Sequence, residues 1–436
     1  MCSIFIATPT YTRHQTIILG KNMDGLANEG QALVRIPALH APENYLTCTH
    51  IQIPQAQRTF EILLSRNSQH WGGEMGINEH QVAIACQEVE SKVKRGSKST
   101  GLTGPDLVRL ALERSTTAQT AMEVITGLIA EFKQTGSNNK AQNTFLIADR
   151  KDAFLLETVE KEWAALTIHG FHALSNTFTI EKNFDYSSKN LVEFAQKHKY
   201  IKKGDTFNFA KAFGPKSKNT IREQLLQKQA QKADGQFDIR NAITLLSTHH
   251  LDQGKFNPSK ANYKCACRHA TGRMNPYQTN ASMVVELRTS QIATTWYTGT
   301  SNPCLSLYKP VYIPGNNLYE GLTQVPGPFK DESLWWQAEI FFREVSKNYK
   351  SAKALFEKER QQIQKEWLEK DQILLQNKNT KEEAFTELSK SCLHKHTKKL
   401  MEWQYHFRKS KLKNGQFSPL YNYYLDSLNK KVVSLI

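Results

Sequence analysis

The chain opens Met1-Cys2-Ser3-Ile4-Phe5-Ile6-Ala7, turns, and comes back through Thr16-Ile17-Ile18-Leu19 into Gly20-Lys21-Asn22-Met23-Asp24-Gly25. Two short apolar runs around a polar stretch predict a β-hairpin. The return strand would set Lys21, Asn22 and Asp24 beside Cys2. With Met1 removed, Cys2 carries a thiol and a free α-amine. That amine has an ordinary pKa of ~7.7–8.0, so a useful fraction is neutral near pH 7. It is then a base for its own residue's thiol, whose thiolate is the nucleophilic form. Asp24 is placed to hold and polarise the ammonium or the thiol. Only Met1 stands before Cys2, so no propeptide is expected to need cutting. Taken alone, Cys2 reads more simply as one residue of a buried first strand. The rest of the chain has to decide.

At 436 residues the chain can bury a large core, as one big domain or two. A hydrophobic share of 39%, with aromatics spread throughout, is that of a globular protein. No apolar run approaches a membrane span, and Ser3–Ala7 is too short for a signal-peptide core and lacks a basic start. The seven cysteines are scattered and odd in number, which suits free thiols in a reducing, cytoplasmic setting. The net charge of +16 comes from diffuse lysines without a helix-turn-helix, finger or RNA-binding signature. It predicts a lysine-rich soluble surface and no specific nucleic-acid partner, with binding to an acidic protein the lesser reading.

Downstream, Gln31–Pro37, Thr47–Ile53 and the alternating Thr59–Ser65 read as strands. A Gly-dense polar loop, Arg66-Asn67-Ser68-Gln69-His70-Trp71-Gly72-Gly73-Glu74-Met75-Gly76-Ile77-Asn78-Glu79-His80, runs straight into the strand Val82–Cys86. Glycines there allow close backbone approach, and the loop is suited to carry polar groups to a strand end. Two helices follow. Thr103 caps the first, with Pro105 and Asp106 in its opening turn, and Thr117 caps the second. Thr144–Ala148 and Ala153–Thr158 form a hairpin that continues through Glu162–Ile168 and Phe171–Leu174 to Ser175-Asn176-Thr177. Strands, two helices, then strands again predict an antiparallel α+β architecture.

Residues 181–260 are polar and basic, with helical patches at Asn190–Lys197 and Thr220–Lys232. His249-His250 near the end of this stretch reads as structural. In Cys265-Ala266-Cys267-Arg268-His269 a zinc reading lacks a second ligand pair, so no metal is expected. Arg268 is a fixed cation suited to a substrate carboxylate or to supporting an aspartate near the nucleophile. Ala281–Leu287 and Ile292–Thr298 add strands. Trp335–Val345 is an amphipathic helix that serves an interface as readily as a core, which leaves a homo-oligomer open. Charged helices then cover roughly Lys350–Leu375 and Lys381–Ser410, with no sustained heptad.

These pieces, in this order, resemble the secernins and more broadly the C69 dipeptidases of the N-terminal nucleophile (Ntn) hydrolase class. The matching stretches are Cys2, Gly20–Asp24, Trp71–His80, Gly104–Arg114, Ala148-Asp149-Arg150, Leu156-Glu157-Thr158, Trp163-Ala164, Ala173–Asn176, Thr298-Gly299-Thr300 and Lys309-Pro310. They cover most of residues 1–315. The resemblance implies a four-layer αββα sandwich over 1–315, with 181–260 insertion-like, and a mostly helical segment over 316–436. It implies no cofactor, and amide cleavage of small peptides by Cys2.

More distantly the site is similar to that of penicillin V acylases and bile salt hydrolases. By that similarity Asp24 is the aspartate next to the nucleophile, and Lys21 stands where those relatives often have arginine. Asn176 is the oxyanion asparagine, and Arg268 matches the active-site arginine. The second oxyanion asparagine is replaced here by Cys86-Gln87-Glu88, leaving Gln87 to supply an amide N–H. Lys21, Asn22, Gln87 and Trp71 make up the expected oxyanion and substrate-binding set. Two other functions fit the same sequence. One is an acylase acting on N-acyl amines, the other a non-catalytic protein whose basic face and helical tail bind a partner.

Overall fold

A computed structural model describes residues 2–40, 44–96, 100–215, 220–251, 254–314, 324–410, 412 and 418–432. Met1 and the expected boundary at 315/316 lie outside the described residues. The predicted hairpin is there: β1 (Ser3–Ala7) pairs antiparallel with β2 (Ile17–Leu26), with Ser3 opposite Asn22 and Phe5 opposite Gly20. In chain order follow β3 (Gln31–Ile36), β4 (Ile62–Asn67), β5 (Met75–Asn78), β6 (Ala83–Glu90), α1 (Gly104–Arg114), α2 (Ala118–Phe132), β7 (Ala141–Ala148), β8 (Ala153–Val159), β9 (Glu162–Thr167), β10 (Phe171–Leu174) and β11 (Tyr186–Ser187). The second half carries α3 (Leu191–Lys197), α4 (Phe209–Phe213), α5 (Ile221–Ala230), α6 (Ile239–Leu246), β12 (Tyr277–Leu287), β13 (Thr294–Tyr297) and β14 (Lys309–Val311). It ends in α7 (Leu334–Ser346), α8 (Tyr349–Ala354), α9 (Glu357–Gln376), α10 (Glu382–Lys409) and α11 (Pro419–Lys431). The stretch expected as one strand over Thr47–Ile53 is instead a small hairpin, Tyr45–Thr47 against Gln52–Pro54.

Two antiparallel sheets face each other. One has the order β10-β1-β2-β12-β13-β14, the other β11-β9-β8-β7-β6-β5-β4-β3. Strands β6 and β7 pack across to β2, and α1 and α2 cover the outer face of the larger sheet. Helices α5 and α6 cover the outer face of the smaller one, against β1, β2, β10 and β12. The result is a helix–sheet–sheet–helix sandwich, α+β in class. Strand alternation explains the layering. On β6, Ala85 and Val89 join the core between the sheets, while Ile84 and Cys86 join the cluster beneath α1 and α2.

The caps are as read. The Thr103 hydroxyl accepts from the Asp106 N–H, and Asp106 accepts from the Thr103 N–H, a reciprocal box. Gly72 is obligatory for close approach, because a Cβ there would overlap the Pro105 carbonyl at the start of α1. The basic stretch 181–260 buries Phe209, Phe213, Leu226 and Leu246 in the same cluster as Ile4 and Phe5. Helix α7 is a core helix: Trp335 and Trp336 are buried, and their indole N–H groups donate to the Asn280 and Gly327 carbonyls. Among the described residues, no helix is long and apolar enough to cross a membrane.

Candidate active site

Cys2 is buried at the start of β1, and its neighbours come from four distant segments. Its backbone nitrogen donates to Asn176 Oδ1 at 2.8 Å. Its thiol lies 3.5 Å from Glu74 Oε2. Alternation along β2 sends Lys21 toward the larger sheet, where its Nζ stands 2.7 Å from Glu74 Oε2. Burial opposes the Lys21 charge, but the Cys2 thiol, Glu74 and Cys86 more than offset it, and the ammonium is held above its ordinary pKa. For Glu74, burial is likewise overcome by Lys21, so its carboxyl sits below the usual range. The other thiol nearby, Cys86, is pushed well up by burial and stays protonated. Cys2 is therefore the thiol with a fixed cation and a shared carboxylate beside it.

The opposite face of β2 carries Asn22 and Asp24 toward the helices. Asp24 Oδ1 accepts from the Thr279 hydroxyl at 2.7 Å, and Oδ2 lies 3.5 Å from an Arg222 nitrogen. Arg222, on α5, donates to Asn176 Oδ1 at 2.8 Å. Asp24 is thus tied to the nucleophile through Arg222 and Asn176. Burial draws the Arg222 guanidinium below its ordinary pKa, with Asp24 and Cys2 opposing. Asn176 itself has a left-handed backbone, φ 59°, a conformation that asparagine tolerates better than most residues. Its Nδ2 donates to the Glu88 carbonyl at 2.7 Å. With Oδ1 accepting from Cys2 and Arg222 and one Nδ2 hydrogen donated to Glu88, Asn176 orients the Cys2 nitrogen. Its amide nitrogen carries a second N–H, the donor that the expected oxyanion role would use.

Gln87 lies on the inter-sheet face of β6, two residues beyond Ala85, with Glu74 and Asn176 bonded to its flanking residues. It is 3% exposed, and both its amide oxygen and its amide nitrogen are without a partner. Buried polar groups are nearly always hydrogen-bonded, so an amide with both ends unpartnered is an exception that calls for an explanation. Arg268 is buried too. Its backbone N–H donates to Thr279, and one guanidinium nitrogen donates to Asn275, while Nε and the other terminal nitrogen are unpartnered.

Two expected site residues go elsewhere. The Asn22 amide donates to the Leu246 and Ala266 carbonyls at 2.9 and 2.8 Å, pinning α6 and the 265–269 segment to the sheet. Trp71 turns onto α1, where the Arg109 guanidinium lies 3.7 Å over its ring and donates to its carbonyl. Indole area and the cation decide that placement, since the helix face offers both. Sequence reasoning assigned no role to Glu74 or Arg222. Glu74 does sit inside the Gly-dense loop, whereas nothing distinguishes Arg222 from the other cations of 181–260. A cavity of about 1060 Å3 without Cys2 in its lining runs between α5–α6 and α8–α9 and is bordered by Lys228, Lys232, Arg240 and Lys353.

The Cys2 thiol is thus buried with the Lys21 ammonium and the Glu74 carboxylate beside it, and with its backbone nitrogen held by Asn176. The model of Peptidase family C69 matches residues 14–224. The span includes Lys21, Asp24, Glu74, Gln87, Asn176 and Arg222.

Among solved structures it is similar to penicillin V acylase from Agrobacterium tumefaciens at 11% identity, covering 72% of this chain and 86% of that one with a TM-score of 0.42. It is also similar to the C2A mutant of conjugated bile acid hydrolase from Clostridium perfringens, at 11% identity, 73% and 94% coverage and a TM-score of 0.43. A third is the Caenorhabditis elegans ortholog of N-acylethanolamine-hydrolyzing acid amidase, at 11% identity, 65% and 92% coverage and a TM-score of 0.34.

Proposed function

We propose that the protein is a cysteine Ntn hydrolase that cleaves small peptides, dipeptidase-like, with Cys2 as nucleophile once Met1 is removed. The observation that carries this is the 2.8 Å bond from the Cys2 nitrogen to Asn176 Oδ1. On a free α-amine the same bond would use one N–H and leave the lone pair to face the thiol. The amine takes the thiol proton, and the thiolate, beside Lys21, attacks the amide carbonyl. The oxyanion receives an N–H from Gln87. The C–N bond breaks as the protonated amine returns its proton to the leaving nitrogen. Water then adds to the thioester, the thiol is regenerated and the acid departs. Arg222 and Asp24 hold Asn176 in register, and Arg268, with two free donors, is suited to a substrate carboxylate. Seven unpaired cysteines support a reducing, cytoplasmic location.

The test is turnover of purified protein on a panel of dipeptides and N-acyl amines, with intact mass reporting the state of the N-terminus. Cleavage of dipeptides by a chain that starts at Cys2, abolished in Cys2→Ser, is the expected result. Full turnover by Cys2→Ser sinks the proposal. Selective cleavage of N-acyl amines would replace the dipeptidase reading with an acylase one.

A further inference from the structure

Away from Cys2, four side chains that the sequence keeps far apart come together. They are His249, three residues beyond α6, Cys267 and His269 from the segment before β12, and Cys304 from the β13–β14 connection. One ligand atom from each lies within 4.8 Å of every other. All four are more than nine-tenths buried: Cys267 0%, Cys304 1%, His269 3% and His249 8% exposed.

The individual distances are informative. His269 Nε2 lies 3.3 Å from His249 Nε2, 3.4 Å from Cys304 Sγ and 3.7 Å from Cys267 Sγ. An imidazole nitrogen has one in-plane direction, a lone pair or a proton, and can satisfy one partner. Here three partners converge on it. A shared ion explains that convergence. Tetrahedral zinc with ordinary bond lengths puts two nitrogens about 3.3 Å apart and a nitrogen and a sulfur about 3.6 Å apart. The three distances from His269 Nε2 are close to those lengths.

We propose that His249, Cys267, His269 and Cys304 form a closed, structural zinc site. Two thiolates and two neutral imidazoles are the donor set zinc prefers, and two thiolates cancel the ion's charge in a buried place. Binding is balanced by release of the two thiol protons to solvent. A second set of groups positions the ligands. The Tyr349 hydroxyl donates to Cys304 Sγ at 3.3 Å, the Cys267 N–H donates to the Thr248 carbonyl, and the Phe256 ring stacks on His249 at 3.5 Å. The large cavity between α5–α6 and α8–α9 is lined by His249, Cys304 and Tyr349 and gives the ion a way in. The proposal departs from the metal-free expectation above, because the partners of the Cys-x-His pair lie 18 residues before and 35 after it in the chain. It also gives Arg268 a function-bearing frame, since that residue is held between two of the ligands.

The test is the zinc content of the full-length protein, purified without chelators, by inductively coupled plasma mass spectrometry. About one zinc per chain is expected. Refolding in cobalt(II) should add the visible bands of a tetrahedral ion and a thiolate charge-transfer band, and Cys304→Ser should lose the charge-transfer intensity of one sulfur. Should Cys304→Ser fail to fold, Tyr349→Phe keeps the ligands and is expected to weaken zinc retention about 10-fold or more against a chelator. Wild-type protein with negligible zinc and no cobalt spectrum, or a disulfide between Cys267 and Cys304 in its mass, overturns the site.

Discussion

Lys21→Met would remove the one ammonium buried beside Cys2 and leave Glu74 facing a thiol without its cation. The Lys21 side chain is fully buried, and the Glu74 side chain keeps 23% exposure. Breaking a buried ion pair by removing one partner costs about 3–5 kcal/mol, and the residual exposure of Glu74 puts this case near the lower figure. The loss should depend on pH. In the variant, burial, the largest influence on Glu74, is opposed only by the lesser pull of the N-terminus and His70, and it is expected to lift the folded pKa above the unfolded value of about 4.3. The destabilisation is then full above that raised pKa and fades as Glu74 protonates on acidification. Lys21→Met combined with Glu74→Gln removes both charges, and should recover more than half of the loss. Urea unfolding of the four proteins of this cycle, at pH 7 and pH 5, reads all three effects. A Lys21→Met cost below about 1 kcal/mol, the range of exposed pairs, would refute the reasoning. So would a double variant no more stable than the single one.

Gln87→Leu separates function from stability. Removing two unpartnered buried polar atoms should leave stability unchanged or raised, while turnover falls about 10²–10³-fold with the loss of an oxyanion donor. Equal activity by steady-state assay would remove Gln87 from the site. Gly20→Ala drives a methyl into the Phe5 ring, which is stacked on Phe171 and edge-on to Phe237, and should cost about 1–3 kcal/mol. A thermal midpoint equal to wild type would contradict that packing. Burial pulls the His172 pKa down to about 4. The unfolded chain, with its histidine near 6.5, binds the proton first, so this group makes stability fall as pH drops from about 6.5 to about 4. His172→Gln should flatten the stability-against-pH slope over that window by up to one proton, and an unchanged slope counts against it.

Much of the frame was legible because it is local. Alternation and a polar turn predict β1 and β2, and Thr103 with Asp106 marks the start of α1 within three residues. Cys2 and Asp24 stood out because a thiol behind Met1 and a carboxylate on the returning strand are chemistry at short range. Where expectation and structure parted, the deciding contact was long-range. Trp71 looked like a substrate residue from its loop, yet Arg109 on the next helix captures its ring. Asn176 looked like an oxyanion donor, and the structure adds a contact no local pattern shows: its Oδ1 also holds the Cys2 nitrogen, 174 residues away.

The sequence by itself determined the class of fold, which follows from periodicity, and it singled out Cys2 as the candidate nucleophile through its place behind Met1 and the resemblance of the ordered motifs. Only the tertiary structure decided which groups surround that nucleophile. Arg222 meets Asp24 across 198 residues and Asn176 meets Cys2 across 174, and no local pattern records either meeting. The same holds for His249, Cys267, His269 and Cys304. A metal site spread over two connections, α6–β12 and β13–β14, leaves no complete ligand spacing to read, because the geometry that brings its donors together belongs to the packing of α6 against the sheet.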